Sequence, residues 1–220
     1  VEDGRMYGRG ACDMKGGLAA NLFVYRALSE CGVELRGDLT LQSTIDEEAG
    51  GTGGVLSALE RGYRPDAAII AEPYGVPDVG IASAGVRYFR VTVPGKSAHA
   101  AYGFDGVNAV NKATAVVDAL DELDRERKAR IDFQPAVNQN ERARGSVTNL
   151  NVGIVEAGDW PSTVPAEATM ECRIGWPPGE TREEVRREVE DAVAAVAEGD
   201  EWLSAHPPEV EWYGWSAEPH

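Results

Sequence analysis

Positive charge is scarce in this sequence. Lysine and arginine number 21 against 37 aspartates and glutamates, a formal net charge of −16 over 220 residues. Nucleic acid is therefore excluded as a partner, because phosphate binding draws on clustered cations and no basic groove is visible. Lysine itself occurs only as Lys15, Lys96, Lys112 and Lys128. An acid-rich, lysine-poor surface suits a protein kept soluble in concentrated salt, which predicts a salt-loving source. Cysteine is rare as well. Cys12, Cys31 and Cys172 are odd in number and far apart, which fits free thiols in a reducing cytoplasm better than a disulfide framework. No apolar run approaches the length that crosses a bilayer, and none reads as a signal peptide, so no membrane partner is expected. The chain opens on Val1 in place of Met, and reads as the central piece of a longer protein.

Hydrophobic residues make up 43%, enough to bury a core and to build one or two domains. The stretch "DMKGGLAANLFVYRALSECG" is apolar on nearly every face and stops at Gly32, which predicts a buried helix. "DLTLQSTI" and "DAAIIAEP" read as short buried strands, with "GGTGGVLSALERGY" between them as a glycine loop and helix. Strands alternating with helices predict a mostly parallel sheet, whose ligands gather beyond the carboxyl ends of its strands.

From about residue 83 the pattern changes. "VRYFRVTV" and "NLNVGIVEA" alternate as strands do, and "ATMECRIGW" puts Ala168, Met170, Cys172, Ile174 and Trp176 on one face, with Thr169, Glu171 and Arg173 on the other. "DGVNAVNKATAVVDALDEL" carries Val107, Val110, Thr114, Val117 and Leu120 on one helical stripe, with Asp105 as N-cap. "TREEVRREVEDAVAAVA" opens with a capping box, Thr181 and Glu184, and stacks Val185, Val189, Val193 and Val196. "VEWYGW" is a last strand. The order β-α-β-β-α-β is that of a ferredoxin-like module, with the polar stretch "RIDFQPAVNQNERARGS" a long loop between its halves.

"LQSTIDEEAGG" runs from an apolar segment into Asp46, Glu47 and Glu48. Adjacent carboxylates repel, and in a half-buried site one of them must hold a proton unless a cation lies nearby. Taken alone, the triplet reads first as a solvated acidic turn. Asp46 reads as the residue that caps the turn or supports a neighbour, without a metal role.

"YGRGACDMKGG", "STIDEEAGGTGG", "IIAEPYG" and "VPGKSAHAAYG", in that order, resemble the successive signatures of the dinuclear zinc amidohydrolases that include acetylornithine deacetylase, succinyl-diaminopimelate desuccinylase, aminoacylase and carboxypeptidase G. The resemblance implies an α/β fold: part of a zinc-peptidase-like catalytic domain over 1–82, an inserted ferredoxin-like lid or dimerisation domain over 83–215, and a return to the catalytic domain over 216–220. It implies two zinc ions, or cobalt or manganese in their place, with Asp13 bridging them, Glu48 and Glu72 each binding one, and Glu47 as general base. Carboxylate oxygens are proper zinc ligands, and adjacent glutamates can divide the work of ligand and base. Residue by residue, Asp13 could otherwise cap the following helix and Glu72 could be a loop acid before Pro73.

The implied reaction is hydrolysis of the amide bond of N-acyl amino acids or small peptides, by a homodimer paired through the lid about a two-fold axis. The resemblance also implies that His99 lies far from its own metal ions and donates to the oxyanion in the partner's site. The family's two histidine ligands have no counterpart here. Only His99, His206 and His220 occur, so the chain holds three of five expected ligands, and by itself is expected to bind little metal and to catalyse nothing. Arg173 either clamps a substrate carboxylate or is a solvent-facing strand residue, and Ser162 stands where the family often has asparagine. The alternative function is that of a dimerisation module without catalysis.

Overall fold

A computed structural model describes residues 1–73, 79–139 and 148–220. Tyr74 and Gly75 of the third motif, and residues 140–147 of the long loop, lie outside them. By its internal contacts the chain divides into Val1–Ile81 and Ala82–His220.

The second unit carries the core. Six elements follow in the expected order: strand β1 (Gly85–Pro94), helix α3 (Ala109–Arg130), strands β3 (Leu150–Ala157) and β5 (Glu167–Trp176), helix α5 (Arg182–Glu198) and strand β6 (Glu209–Ala217). They build an antiparallel sheet in the order β3-β5-β1-β6, with each crossover helix carrying the chain past one strand, as a ferredoxin-like module requires. The alternation of β5 is realised. Ala168, Met170, Cys172, Ile174 and Trp176 are buried with Phe89, Val91 and Val93 of β1 and with Val185, Val189 and Val193 of α5. Burial pushes the Cys172 thiol up to about 12, with Glu171 adding to the effect, so this thiol is a core residue. All three cysteines are free.

Short elements interrupt this plan. The two-residue strands β2 (Ala98–His99) and β4 (Thr163–Val164) pair with each other, and a short helix α4 (Gln134–Gln139) opens the segment expected to be all loop. Helix α6 (Glu201–Ala205) precedes β6, capped by Asp200, whose carboxylate also pairs with Lys112 at 2.5 Å.

The N-cap of α3 is Asn108, whose side chain accepts from the Val110 N–H, and not Asp105. The buried stripe runs Ala109, Ala113, Val116, Leu120, Leu123 and Arg127, one residue away from the expected Val110, Thr114 and Val117. Small alanines let the helix sit close to the sheet, and Val110 is left 44% exposed. Arg127, fully buried, is held by Glu180 at 2.8 Å and by Glu188, which ties α3 to α5 and to the loop before it.

The capping box of α5 forms. The Thr181 hydroxyl accepts from the Glu184 N–H, and the Glu184 carboxylate accepts from the Thr181 N–H at 2.9 Å. Thr181→Ala is expected to cost about 1 kcal/mol, read as a lower urea midpoint with an unchanged slope. The Thr181 hydroxyl, which also donates to the Glu184 carboxylate at 2.8 Å, and then the Thr181 N–H hold that carboxyl below its ordinary value. Its contribution to stability is thus present at neutral pH and is lost as pH falls through the lowered folded value.

The first unit departs from expectation in two ways. Helix α1 (Lys15–Glu30) forms and ends before Gly32, but none of its residues is buried, and Leu22, Phe23, Val24 and Tyr25 are all more than half exposed. Residues 38–45 and 66–73, expected as strands, carry no ladder. A parallel strand takes its hydrogen bonds from neighbours distant in sequence, and among the described residues none lies alongside. Every buried hydrophobic residue described belongs to the span 86–203. At the other end, β6 runs through Ala217, and His220 exchanges two backbone hydrogen bonds with Ser83. Residues 216–220 therefore lie with the second unit, where a return to the first was expected.

Candidate active site

Four carboxylates from three segments of the first unit share one neighbourhood. One close approach brings the first and third segments together. A Cβ on Gly17 would lie 2.1 Å from the Ala71 carbonyl oxygen, so only glycine lets the first turn of α1, just after Asp13, cross the backbone just before Glu72. A second approach is local: a Cβ on Gly54, in the turn Thr52–Leu56, would lie 2.1 Å from the Ile45 carbonyl oxygen. That turn is folded back onto the acidic triplet. The Asp46 carboxylate accepts from the Gly53 N–H at 3.2 Å, and the Asp46 carbonyl from the Gly51 N–H at 2.7 Å. Asp46 thus closes the turn that presents Glu47 and Glu48, which agrees with its supporting reading.

The electrostatics follow from that crowding. The Glu72 carboxyl is held above its ordinary value, first by burial, then by the charges of Asp13 and Glu47, by a hydrogen bond with Asp13, and by Glu48. A group in this setting is short of positive charge, and a divalent cation would supply it. The donor set is wholly carboxylate oxygen, as suits zinc, manganese or cobalt with histidine added. The residues present therefore fit a metal in chemistry. Among the described residues, however, no three His, Cys, Asp or Glu side chains are drawn into a ligand shell. Asp13 does not cap α1, whose N-cap is Met14 without a side-chain bond.

His99 belongs to the second unit. It is exposed on β2 opposite Thr163, and its Nδ1 accepts from the Ala101 N–H at 3.1 Å. That bond leaves Nε2 to carry the ring hydrogen, so the neutral imidazole is a donor on its free side. The Ser162 carbonyl accepts from the Ala100 N–H at 2.8 Å and steadies the same turn.

Arg173 lies exposed on the face of β5 away from the helices, opposite Tyr88 and Asn151. Two residues along that face, Glu171 is paired with Arg90 at 2.7 Å and bonded by the Tyr213 hydroxyl at 3.0 Å. Arg90 and then Tyr213 hold its carboxyl below the ordinary range. His206 is exposed and stacked on Trp202, with ring centroids 3.8 Å apart. Sequence patterning did not single out Tyr102 and Phe104, which follow His99 and stand exposed. Two aromatics in a turn of small residues were the available signal.

Residues 81–201 match the M20 peptidase dimerisation domain, and the chain belongs to the M20 peptidase family.

The chain is 33% identical to the N-formyl-4-amino-5-aminomethyl-2-methylpyrimidine deformylase of Halalkalibacterium halodurans, over 98% of this chain and 51% of that protein. The Bacillus subtilis protein of the same name is 32% identical over 97% of this chain and 50% of its own length. A succinyl-diaminopimelate desuccinylase from Gluconacetobacter diazotrophicus is 32% identical over 79% of this chain and 44% of that one. Aminopeptidase PepT from Bacillus cereus shares the fold, with a TM-score of 0.55 at 19% identity over 97% of this chain and 52% of its own. The chain thus spans about half the length of the curated relatives it matches. No helix of the described residues is long and apolar enough to cross a membrane.

Proposed function

We propose that the complete protein containing this chain hydrolyses the amide bond of a small N-acyl compound with the help of two zinc ions. The observation that carries this reading is the crowding of Asp13, Glu47 and Glu48 around Glu72, which raises the Glu72 carboxyl. Asp13, Glu48 and Glu72 would hold the metal, together with histidines from outside the chain. Zinc, when bound, polarises a carbonyl and makes water acidic near neutral pH. Glu47 takes the proton from the attacking water and returns it to the leaving amine. His99 donates from Nε2 to the developing oxyanion of the partner subunit's site. Arg173 is the candidate clamp for a substrate carboxylate.

The names of the relatives at 33% and 32% identity favour an N-formyl group on an aminomethylpyrimidine, and that of a third favours an N-succinyl amino acid. Free thiols and the absence of a spanning helix among the described residues suit a cytoplasmic enzyme. The test is zinc content and turnover of the complete protein on N-formyl, N-acetyl and N-succinyl amines. Two bound zinc ions per chain with release of free amine support the reading; protein that retains no zinc in zinc-supplemented buffer overturns it.

One observation favours a second reading, a dimerisation module without catalysis: all buried hydrophobic residues described lie in the second unit. Both readings propose a homodimer. Ile154 and Val155 are 52% and 56% exposed on β3, a free edge of the sheet, beside α3 with its exposed Val110. Unpaired edges recruit a second strand. Ile154→Lys is expected to turn the dimer into a monomer at micromolar concentration, read by light scattering. A variant that stays dimeric would move the interface elsewhere.

A further inference from the structure

Among the described residues of the second unit, the strongly exposed aromatic side chains are Tyr102, Phe104 and Trp160, at 60%, 82% and 67%. All three stand on the turns that flank the β2–β4 pair, the pair that presents His99. Elsewhere in this unit the large rings are buried or half-buried, Phe89 and Trp176 wholly so.

Tyr102 and Phe104 are not loose. The His99 and Tyr102 rings lie 6.3 Å apart at 62°, and the Tyr102 and Phe104 rings 6.1 Å apart at 77°. These are edge-to-face contacts within the attractive range for ring pairs. The turn that bears them is closed on both sides. Lys96 and Val107 exchange backbone hydrogen bonds at 2.8 and 2.9 Å, Gly106 N–H donates to the Gly103 carbonyl at 3.1 Å, and Ala100 N–H donates to Ser162. A framed turn that spends two large apolar rings on solvent, in file with one histidine, leaves ring surface free for a ligand. Exposed aromatic area of this kind marks binding surfaces, because it is rigid and loses little entropy when covered.

We propose that Tyr102 and Phe104 are specificity-determining residues: they form a subsite for a planar aromatic or heteroaromatic ring that the substrate carries next to the amide being hydrolysed. The inference rests on the reading of His99 as the oxyanion donor, since Tyr102 packs against His99 and Phe104 against Tyr102. It selects within the proposed activity, favouring arylmethyl amides over aliphatic ones such as those of diamino acids. A ring lying against an edge-to-face pair gains attraction beyond its buried area, whereas a saturated ring of similar size gains only the area.

The experiment compares N-formylbenzylamine with N-formyl(cyclohexylmethyl)amine on the zinc-loaded complete protein, and measures binding of the two free amines by calorimetry. The expected result is a preference in kcat/KM for the benzyl compound of about five- to tenfold, carried by KM. In the double variant Tyr102→Ala, Phe104→Ala that preference is expected to fall to about one, with the same change in the affinity ratio of the two amines, while Tyr102→Phe keeps most of it. Hydrolysis of both formamides at equal efficiency by the unaltered protein would overturn the subsite and leave the amidohydrolase reading standing. No hydrolysis of any N-formyl, N-acetyl or N-succinyl amine would overturn that reading instead, and the amine affinities would still decide the subsite. A preference that survives in the double variant also overturns it. So does loss of the dimer in the variant by light scattering, which would make the two rings part of the subunit interface.

Discussion

Glu47→Ala in the complete protein is expected to keep its zinc and to lose about 10²–10⁴ in turnover, the usual worth of a positioned general base. Glu48→Ala is expected to lose zinc itself. The two residues are neighbours on one turn, so their separation into base and ligand rests on which carboxylate that turn presents to the metal. The turn is well defined: Gly50 N–H donates to the Glu47 carbonyl at 2.9 Å, and Asp46 is held by Gly51 and Gly53. Zinc content by elemental analysis, set beside turnover, checks the assignment. Equal loss of zinc in the Glu47 variant would mean that the roles of the two glutamates are exchanged.

His99→Ala homodimers are expected to be fully metallated and about 10²–10³ slower, the cost of removing one oxyanion donor. The Ala101 N–H already occupies Nδ1 at 3.1 Å, so the ring acts through Nε2 and needs no other group to set its tautomer. A donor that works across a subunit interface has a signature that a structural histidine lacks. Mixing His99→Ala with Glu47→Ala subunits should restore part of the activity, since one site of the heterodimer then receives an intact His99 and an intact Glu47. With subunit exchange confirmed by native mass spectrometry, a mixture as inactive as its parents would return His99 to a turn residue.

Much of the second unit was legible in the sequence because its signals are local. The period-two alternation of residues 168–176 predicted the buried face of β5 residue by residue. Thr181 and Glu184, three apart, predicted a cap that needs nothing beyond the first turn of α5. The stripe of α3 lies one residue from its expected place because Val110, Thr114 and Val117 are the bulkier set, whereas the helix turns Ala109 and Ala113 to the sheet. Hydrophobicity ranks side chains by size, and close packing of a helix on a sheet can favour small ones.

The sequence alone determined the order of elements in the ferredoxin-like unit, the capping box of α5 and the buried face of β5, each set by neighbours within a few residues. Only the tertiary structure decided the strand order β3-β5-β1-β6, the backbone approach at Gly17 that brings the segments of Asp13 and Glu72 together, and the file of Tyr102 and Phe104 beside His99. It also left residues 38–45 and 66–73 without the ladder their composition predicts. The division has one physical cause. Capping and alternation are satisfied by atoms a few residues away, while strand pairing, carboxylate crowding and ring contacts depend on partners that only long-range folding brings near.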